Sequence, residues 1–378
     1  MKVLHKIIFF IVTSFLFSSC DLLYSLLSGE YEEDTKIDKI TSRFTLSDNL
    51  VFINNSSDTD VESTFVIDAE NMNIVSRIYY TNGKHEIGAS QVTPYNGKLW
   101  ILGACNAHKV LILNTETGKI DETITFTEWN CHRMNFLPSI NKLAVMHGYG
   151  YNKGFSVSLI NLETKKYEGL AYIPELAPQL EDINNKIYGS GNSFKSKEEW
   201  GFGTYTLSGD EFIFNREFSV NSANDSVGAE LVVVNKFLVL DDGTYVVCDN
   251  TIGIKILYPD GSIGKIWYGE ETDDYREVDN IYYSSEYDRI YVEGGKGYRL
   301  TYLEKGNDGI WERNENSLIP FTVYHGLRAS MLNGNTWVTT YPSDDYTTFI
   351  VLFYDIGDLT LKKEIHWNLS DDTMTVVE

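Results

Sequence analysis

Six histidines follow residue 20: His85, His108, His132, His147, His325 and His366. Imidazole exchanges a proton near neutral pH and is the commonest metal ligand, so these residues come first. His85, His132 and His325 stand just ahead of short apolar runs and make the best three-ligand set for a divalent metal. Acids and guanidinium groups occupy comparable positions: Glu86, Arg133, Glu181, Glu230, Glu277 and Arg328. A general acid or base could come from Glu181, Glu230 or Glu277, and no spacing singles one out. Flat rings accompany them: Trp129 in EWNCHR, Tyr149 and Tyr151 in GYGYNKG and Trp200 in SFKSKEEWGFG, with Tyr275, Tyr324 and Tyr341 nearby. Rings beside Asn, Asp and Arg suit stacking on a sugar or a planar macrocycle. The binding set is therefore Trp129, Tyr149, Tyr151, Trp200, Arg133 and Arg328. Trp100, Trp267, Trp337 and Trp367 read as packing residues.

Much chemistry is absent from the pattern. Cys105, Cys131 and Cys248, the cysteines beyond Cys20, match no zinc-knuckle spacing, and pairing of Cys105 with Cys131 is left open. No Gly-rich phosphate loop, nucleophile elbow or HExxH motif occurs. The acidic stretches 54–63 and 269–277 do not follow the EF-hand pattern and read as solvated loops. The expectation is a chain without a resident cofactor, a divalent metal at the histidines being the alternative.

What must position these residues is a repeated strand unit. Residues 98–126, KLWILGACNAHKVLILNTETGKIDETITF, read as strands at 98–102, 109–113 and 119–126. The runs are β-branched and aromatic, and Gly and Asn punctuate them as tight turns require. One such unit cannot bury both faces, so it needs copies of itself alongside. The turn after the third strand recurs as VIDAENM at Asp68, ILNTETG at Asn114, LINLETK at Asn161 and TYTLSGD at Thr206. It continues as ILYPDGS at Tyr258, TYLEKGN at Tyr302 and FYDIGDL at Asp355, the seven marks lying 46, 47, 45, 52, 44 and 53 residues apart. Units of this length predict an all-β chain folded as a β-propeller of seven four-stranded blades, with six or eight as alternatives. A sandwich lacks such a period, and a solenoid uses shorter, more uniform repeats. The first inner strand is expected near residues 43–47, and the ring-closing strand from residues 35–46 or 374–377.

In a propeller the loop joining a blade's second and third strands shares a face with the loop leading into the next blade. Function concentrates on that face, around the central channel. Cys105 and His108 fall in such a second-to-third-strand loop, as are His147 and Cys248 expected to do. His85, Cys131, His132 and His325 fall in loops leading into inner strands, and His366 in an outer strand. The histidines other than His366 are thereby expected on one face.

The N-terminus carries Lys2 and Lys6, an apolar run over 7–17 and then Phe17-Ser18-Ser19-Cys20. This resembles a bacterial lipoprotein signal, which implies removal of 1–19 and acylation of Cys20. Residues 20–39, with the acidic run Glu30 to Asp34, read as a linker, and 40–378 as a single propeller domain. Removing Lys2 and Lys6 with the leader takes the formal net charge from −23 to −25. So acidic a chain repels nucleic acid and anionic headgroups, leaving the lipid as its expected link to a membrane.

The lipobox-like FSSC and the pattern NGKLWILG followed by KVLILNTETGKIDETI resemble the YncE-like and surface-layer-type propeller lipoproteins of Bacteroidetes. The resemblance implies a cell-envelope protein, on the surface or periplasmic face of the outer membrane, that binds or scaffolds. Some such proteins capture cobalamin for an outer-membrane transporter. The functional expectation is capture of a small molecule or glycan on one propeller face, in company with an uptake system. A polysaccharide lyase or hydrolase with a His-rich, metal-assisted site is one alternative, and a protein-interaction scaffold the other.

Overall fold

The computed structural model describes residues 36–55, 63–81, 88–103, 108–126, 128, 131–150, 154–173, 180–191, 201–219, 234–249, 253–266, 278–294, 299–314, 329–343, 345 and 347–377. These residues form an all-β chain of antiparallel sets, and the fold is a β-propeller. Two of the sets, the third and fourth in chain order, are joined into one eight-stranded sheet by a parallel bridge at Tyr172 and Glu211. The first set comprises β1 (Lys36–Ile40), β2 (Leu50–Asn55), β3 (Ser63–Asp68) and β4 (Asn73–Thr81). The second runs through β5 (Ala89–Tyr95), β6 (Lys98–Gly103), β7 (Lys109–Asn114) and β8 (Lys119–Thr125). Then follow β9 (Cys131–Leu137), β10 (Lys142–Gly150), β11 (Gly154–Asn161) and β12 (Tyr167–Ile173). The fourth set is β13 (Leu180–Ile183), β14 (Lys186–Gly191), β15 (Gly201–Ser208) and β16 (Glu211–Ser219). The fifth is β17 (Val234–Val239), β18 (Tyr245–Asp249), β19 (Gly253–Leu257) and β20 (Ile263–Ile266). The sixth is β21 (Val278–Ser284), β22 (Arg289–Gly294), β23 (Arg299–Lys305) and β24 (Trp311–Arg313). The last holds five strands: β25 (Ala329–Asn333), β26 (Thr336–Pro342), β27 (Thr348–Asp355), β28 (Leu361–Asn368) and β29 (Thr373–Val377).

Every recurring turn mark falls in or just after the third strand of its set, and at four of them the local chemistry repeats. Asn114 Oδ1 accepts the N–H groups of Glu116 and Thr117, at 3.2 and 3.1 Å, and Asn161 Oδ1 those of Glu163 and Thr164, at 3.0 and 2.8 Å. Asp355 and Asp68 make the same side-chain turn, to Gly357 and Asn71. Four residues on, each loop visits the left-handed region, at Met72, Gly118, Lys165 and Leu359. A short polar side chain that bonds its own turn and a residue with positive φ reverse the chain within a few residues. At Asn96-Gly97 both residues have positive φ, the two-residue turn whose twist matches a β-hairpin.

Burial follows strand rank. β3, β7 and β27 are buried along most of their length, whereas β8 and β29 lie open to solvent. The middle strands pack on both faces against neighbouring sets, which is why their runs are continuously apolar. Trp100, Trp337 and Trp367 are buried, as packing residues should be, while Trp267 lies outside the described residues.

Two details differ from the sequence reading. The sheet begins at Lys36, inside the stretch read as linker, because a register shift between Ile37 and Lys39 lets both Ile37 and Ile40 pack on the core. The first set's strand order is β1-β4-β3-β2, so its innermost strand is β2, not residues 43–47, and β1 is an outer edge. Residues 374–377 likewise lie in an outer strand, β29, paired with β28. The seam between the first and last sets is therefore joined by side chains, with no strand ladder between the described strands of the two sets. Val51, Ile53, Phe65 and Ile67 share one core with Val338, Phe349, Val351 and Trp367.

Candidate functional site

The strands β5, β9, β13, β17, β21 and β25 open their sets at the inner edge and run the same way, whereas β2, the inner edge of the first set, runs the opposite way, its end at Asn54 meeting the start of β5 at Ala89. Neighbouring inner strands do not share a ladder, so their edge N–H and C=O groups need other partners. Side chains supply several. Asn54 Nδ2 donates to Ala89 O at 2.9 Å. Gln91 donates Nε2 to Met134 O at 3.1 Å and accepts Met134 N at 2.7 Å. Asp182 accepts the Ser139 N–H at 2.7 Å. These bridges fix the spacing of the strands on which the charged residues stand.

At the beginnings of three successive inner strands lie Arg133 on β9, Glu181 on β13 and Lys236 on β17, all half-buried. Arg133 stands opposite Met146, whose side chain packs toward the fourth set, so Arg133 points to the β13 side of β9. Burial lowers the Arg133 guanidinium below its ordinary pKa, and the charge of Glu181 opposes that. Burial raises the Glu181 carboxyl, against the pull of Lys236 and Arg133. Lys236 is lowered by burial and then by Arg133, with Glu181 and Cys248 acting the other way. Three ionisable groups thus share one poorly solvated mouth and sense each other, an arrangement that is common at functional sites. With all three ionised the cluster carries one net positive charge on a chain of formal charge −23.

Sequence reasoning named Arg133 and Glu181 and missed Lys236. It lies third in β17, beyond a register shift between Val234 and Lys236. Of the other residues named from sequence, Trp129, Tyr151, Trp200, Arg328, His85, His325 and Cys20 lie outside the described residues. So do Glu86, Glu230, Glu277, Cys105, Tyr275 and Tyr324. The backbone of Tyr149 runs in β10 and that of His132 in β9, and neither side chain is among those described. Tyr341 is half-buried near the end of β26, the end that shares a face with the starts of the inner strands. Among the described residues no three His, Cys, Asp or Glu side chains come together to hold a metal ion.

Besides His132, three residues expected in loops are strand residues instead. Cys248 is buried within β18 opposite Lys236. His147 is only 1% exposed within β10. Its Nε2 bonds Ser158 Oγ at 2.8 Å, its Nδ1 lies 3.6 Å from Cys131 Sγ, and its ring packs edge-on to Phe126. Hydrophobic neighbours on both faces of the third set draw this imidazole into the core, where its hydrogen bonds offset the cost of burial. Cys131 is likewise the first residue of β9 and fully buried. His108 does lie in the second-to-third-strand loop, with Nδ1 3.1 Å from Glu128 O, and His366 in β28 bonds Glu364 at 2.6 Å.

No family model matches the sequence, and no curated protein matches it. Similar folds do occur among solved structures. A proposed 6-phosphogluconolactonase from Bacteroides uniformis aligns at 12% identity and a TM-score of 0.54, covering 88% of this chain and 98% of that one. The periplasmic gluconolactonase PpgL of Pseudomonas aeruginosa aligns at 9% identity and TM-score 0.54, over 89% and 99%. The dihydro-heme d1 dehydrogenase NirN, in complex with DHE, aligns at 10% and 0.54, over 90% and 79%. At such identities the likeness establishes the propeller fold and nothing about activity.

Proposed function

We propose that this propeller is a binding protein that captures a small molecule or glycan at the channel mouth where the inner strands begin. The observation that carries the reading is the cluster of Arg133, Glu181 and Lys236 on adjacent strands. Two cations and one acid, each disfavoured in its charged form by burial, form a site whose strain an anionic group would relieve. The ligand class is a polar molecule carrying a carboxylate or phosphate, with hydroxyls or amides for the surrounding polar groups. Arg133 would form the paired contact that such groups favour, and Lys236 would act as a point charge. The residues of the FSSC stretch support a lipid on Cys20, which would tether the site to the outer membrane beside an uptake partner.

A thermal-shift screen of the full-length chain in detergent tests this. Sugar acids and sugar phosphates are compared with their neutral parents and with corrinoids, each with and without chelator. A ligand that binds only the folded chain raises the melting temperature by mass action. Chelator-insensitive shifts with the anionic members support the reading, and shifts with none of them contradict it. Loss of radiolabelled palmitate incorporation in Cys20→Ala is the expected result for the lipid.

One observation favours a second reading. Burial keeps the proton on Glu181 to higher pH than usual, and a protonated carboxyl beside two cations can serve as a general acid. A hydrolase or lyase acting on an acidic polysaccharide would fit, and turnover that falls in Glu181→Gln while binding persists would distinguish it from capture.

A further inference from the structure

A cleft of about 360 Å³ lies at the opposite ends of the inner strands. Leu238 near the end of β17, Ile281 to Glu286 at the end of β21, and Leu332, Gly334 and Asn335 at the β25–β26 turn form its walls. It therefore spans the fifth, sixth and last sets, on the face away from Arg133. Its volume is at the small end of the range of ligand sites, about 300–1,000 Å³, room for a short ligand or the end of a longer one.

The lining is chemically mixed in a particular way. Leu238, Ile281 and Leu332 provide aliphatic surface and Tyr282 and Tyr283 provide rings, while Ser284, Ser285, Glu286 and Asn335 provide the polar groups. Asn335 Nδ2 donates to Glu286 Oε2 at 2.6 Å, which ties the turn of one set to the turn of the next. That bond leaves a carboxylate oxygen, an amide carbonyl and an amide hydrogen for a ligand. The wall behind is firm. Tyr282 and Leu332 pack against Tyr291, Tyr302 and Trp337, and Tyr291 Oη donates to Ile356 O at 2.9 Å. A preformed wall reduces the ordering cost of binding.

Charge then narrows the ligand. Glu286 lines the cleft, and Tyr283 Oη donates to Asp288 at 2.9 Å and senses Asp241 and Asp242. Burial, then the bond to Asp288, hold the Tyr283 phenol up at about 12, so it stays neutral. Lys305 pairs with Asp242 at 2.9 Å, but Glu286 faces the neutral amide of Asn335, so an anionic ligand would meet that carboxylate at a cost of like-charge repulsion. A saccharide without charge has what the cleft asks for: an apolar face of C–H groups for the rings and aliphatic wall, and vicinal hydroxyls for the carboxylate and amide.

We infer that the cleft between β17, β21 and β25 is a second binding site, on the far mouth of the channel, that takes a neutral saccharide through Glu286, Asn335 and Tyr282. This goes beyond the anion site at Arg133 and does not depend on it. Titration calorimetry of the full-length chain with maltotriose, cellotriose, xylotriose and chitotriose tests it, with trigalacturonate as the charged control. At least one neutral trimer binds the wild type, and its affinity falls at least tenfold in Glu286→Ala and in Asn335→Ala but is unchanged in Arg133→Ala. Both turn residues are exposed, and matching melting temperatures certify that each variant folds. Binding by none of the neutral trimers overturns the inference. So does binding that survives both turn substitutions or that is lost in Arg133→Ala, and trigalacturonate binding that is lost in Glu286→Ala.

Discussion

Arg77, wholly buried in β4, reaches across the seam of the ring and places its Nη1 3.2 Å from Oδ1 of Asp372 in the β28–β29 turn. The guanidinium also stacks over Phe65 and Tyr79, at 4.9 and 4.4 Å, and bonds Ser63 Oγ through Nε at 2.8 Å. Lys39 of β1 adds a second ion pair to Asp372 at 2.8 Å, and Tyr79 Oη a hydrogen bond. The first and last sets are thus held by one carboxylate as well as by a shared apolar core.

Replacing Asp372 by Asn should loosen this seam. Removing one partner of a buried pair costs about 3–5 kcal/mol, and because Asp372 keeps 21% of its side chain exposed the expected loss is about 2 kcal/mol. Urea unfolding of the two proteins measures it. A loss below about 0.5 kcal/mol, the scale of an ordinary surface substitution, would show that packing alone closes the ring.

The same pair gives a pH dependence whose sign is fixed. Burial raises the Asp372 carboxyl, but bonds from Lys39 and Tyr79 and the charges of Lys39 and Arg77 outweigh it, so the folded pKa lies below the ordinary value. Stability from a depressed carboxyl is present above the unfolded value of about 3.9 and is lost as pH falls through the folded value. The gap between wild type and Asp372→Asn should be full at pH 7 and narrow below about pH 4. Unfolding midpoints measured at pH 7, 5 and 3 check this, and a gap unchanged at pH 3 contradicts it.

Phe65 stacks on Phe349 across the seam with ring centroids 4.2 Å apart, and both are buried. Phe65→Ala should cost about 3–5 kcal/mol through lost contact and a cavity. Thr375→Ala, on the exposed β29, should stay within about 0.5 kcal/mol. Equal effects from the two would mean that the seam core is not where stability resides.

His147 is expected to act through packing and not through a ligand. His147→Ala removes its contact with Phe126 and leaves the Ser158 hydroxyl buried, at a cost of about 2–4 kcal/mol. Ligand affinity of the folded variant should match wild type. Melting curves and titration calorimetry separate the two effects, and a loss of affinity without a loss of stability would place His147 in the binding site.

The fold was legible because its marks are local. Asn114, Asn161 and Asp355 each bond their own turn, so their spacing reports the period whatever the rest of the chain does. The closure was not legible, because Phe65 meeting Phe349 and Arg77 meeting Asp372 are long-range facts that no window of sequence contains. The site was half legible. Arg133 and Glu181 announce themselves as charges at the heads of apolar runs, but a register shift hides the position of Lys236. His147 misled for a related reason: a strand reaching Gly150 was read as ending earlier, so a core residue was taken for a loop residue.

The central claim is that Arg133, Glu181 and Lys236 form the mouth that holds an anionic group. Titration calorimetry with the strongest anionic ligand from the thermal screen, on wild type, Arg133→Ala and Lys236→Ala at pH 7.5 and 5.5, tests it most directly. Losing a charge-assisted bond should weaken binding by about 1.5–3 kcal/mol, roughly ten- to a hundredfold, in each variant. Affinity should also rise as pH falls, because burial raises the Glu181 carboxyl so that it takes up its proton before a solvated carboxyl does and leaves the two cations unopposed. Affinity equal in all three proteins, or falling at the lower pH, would contradict the account.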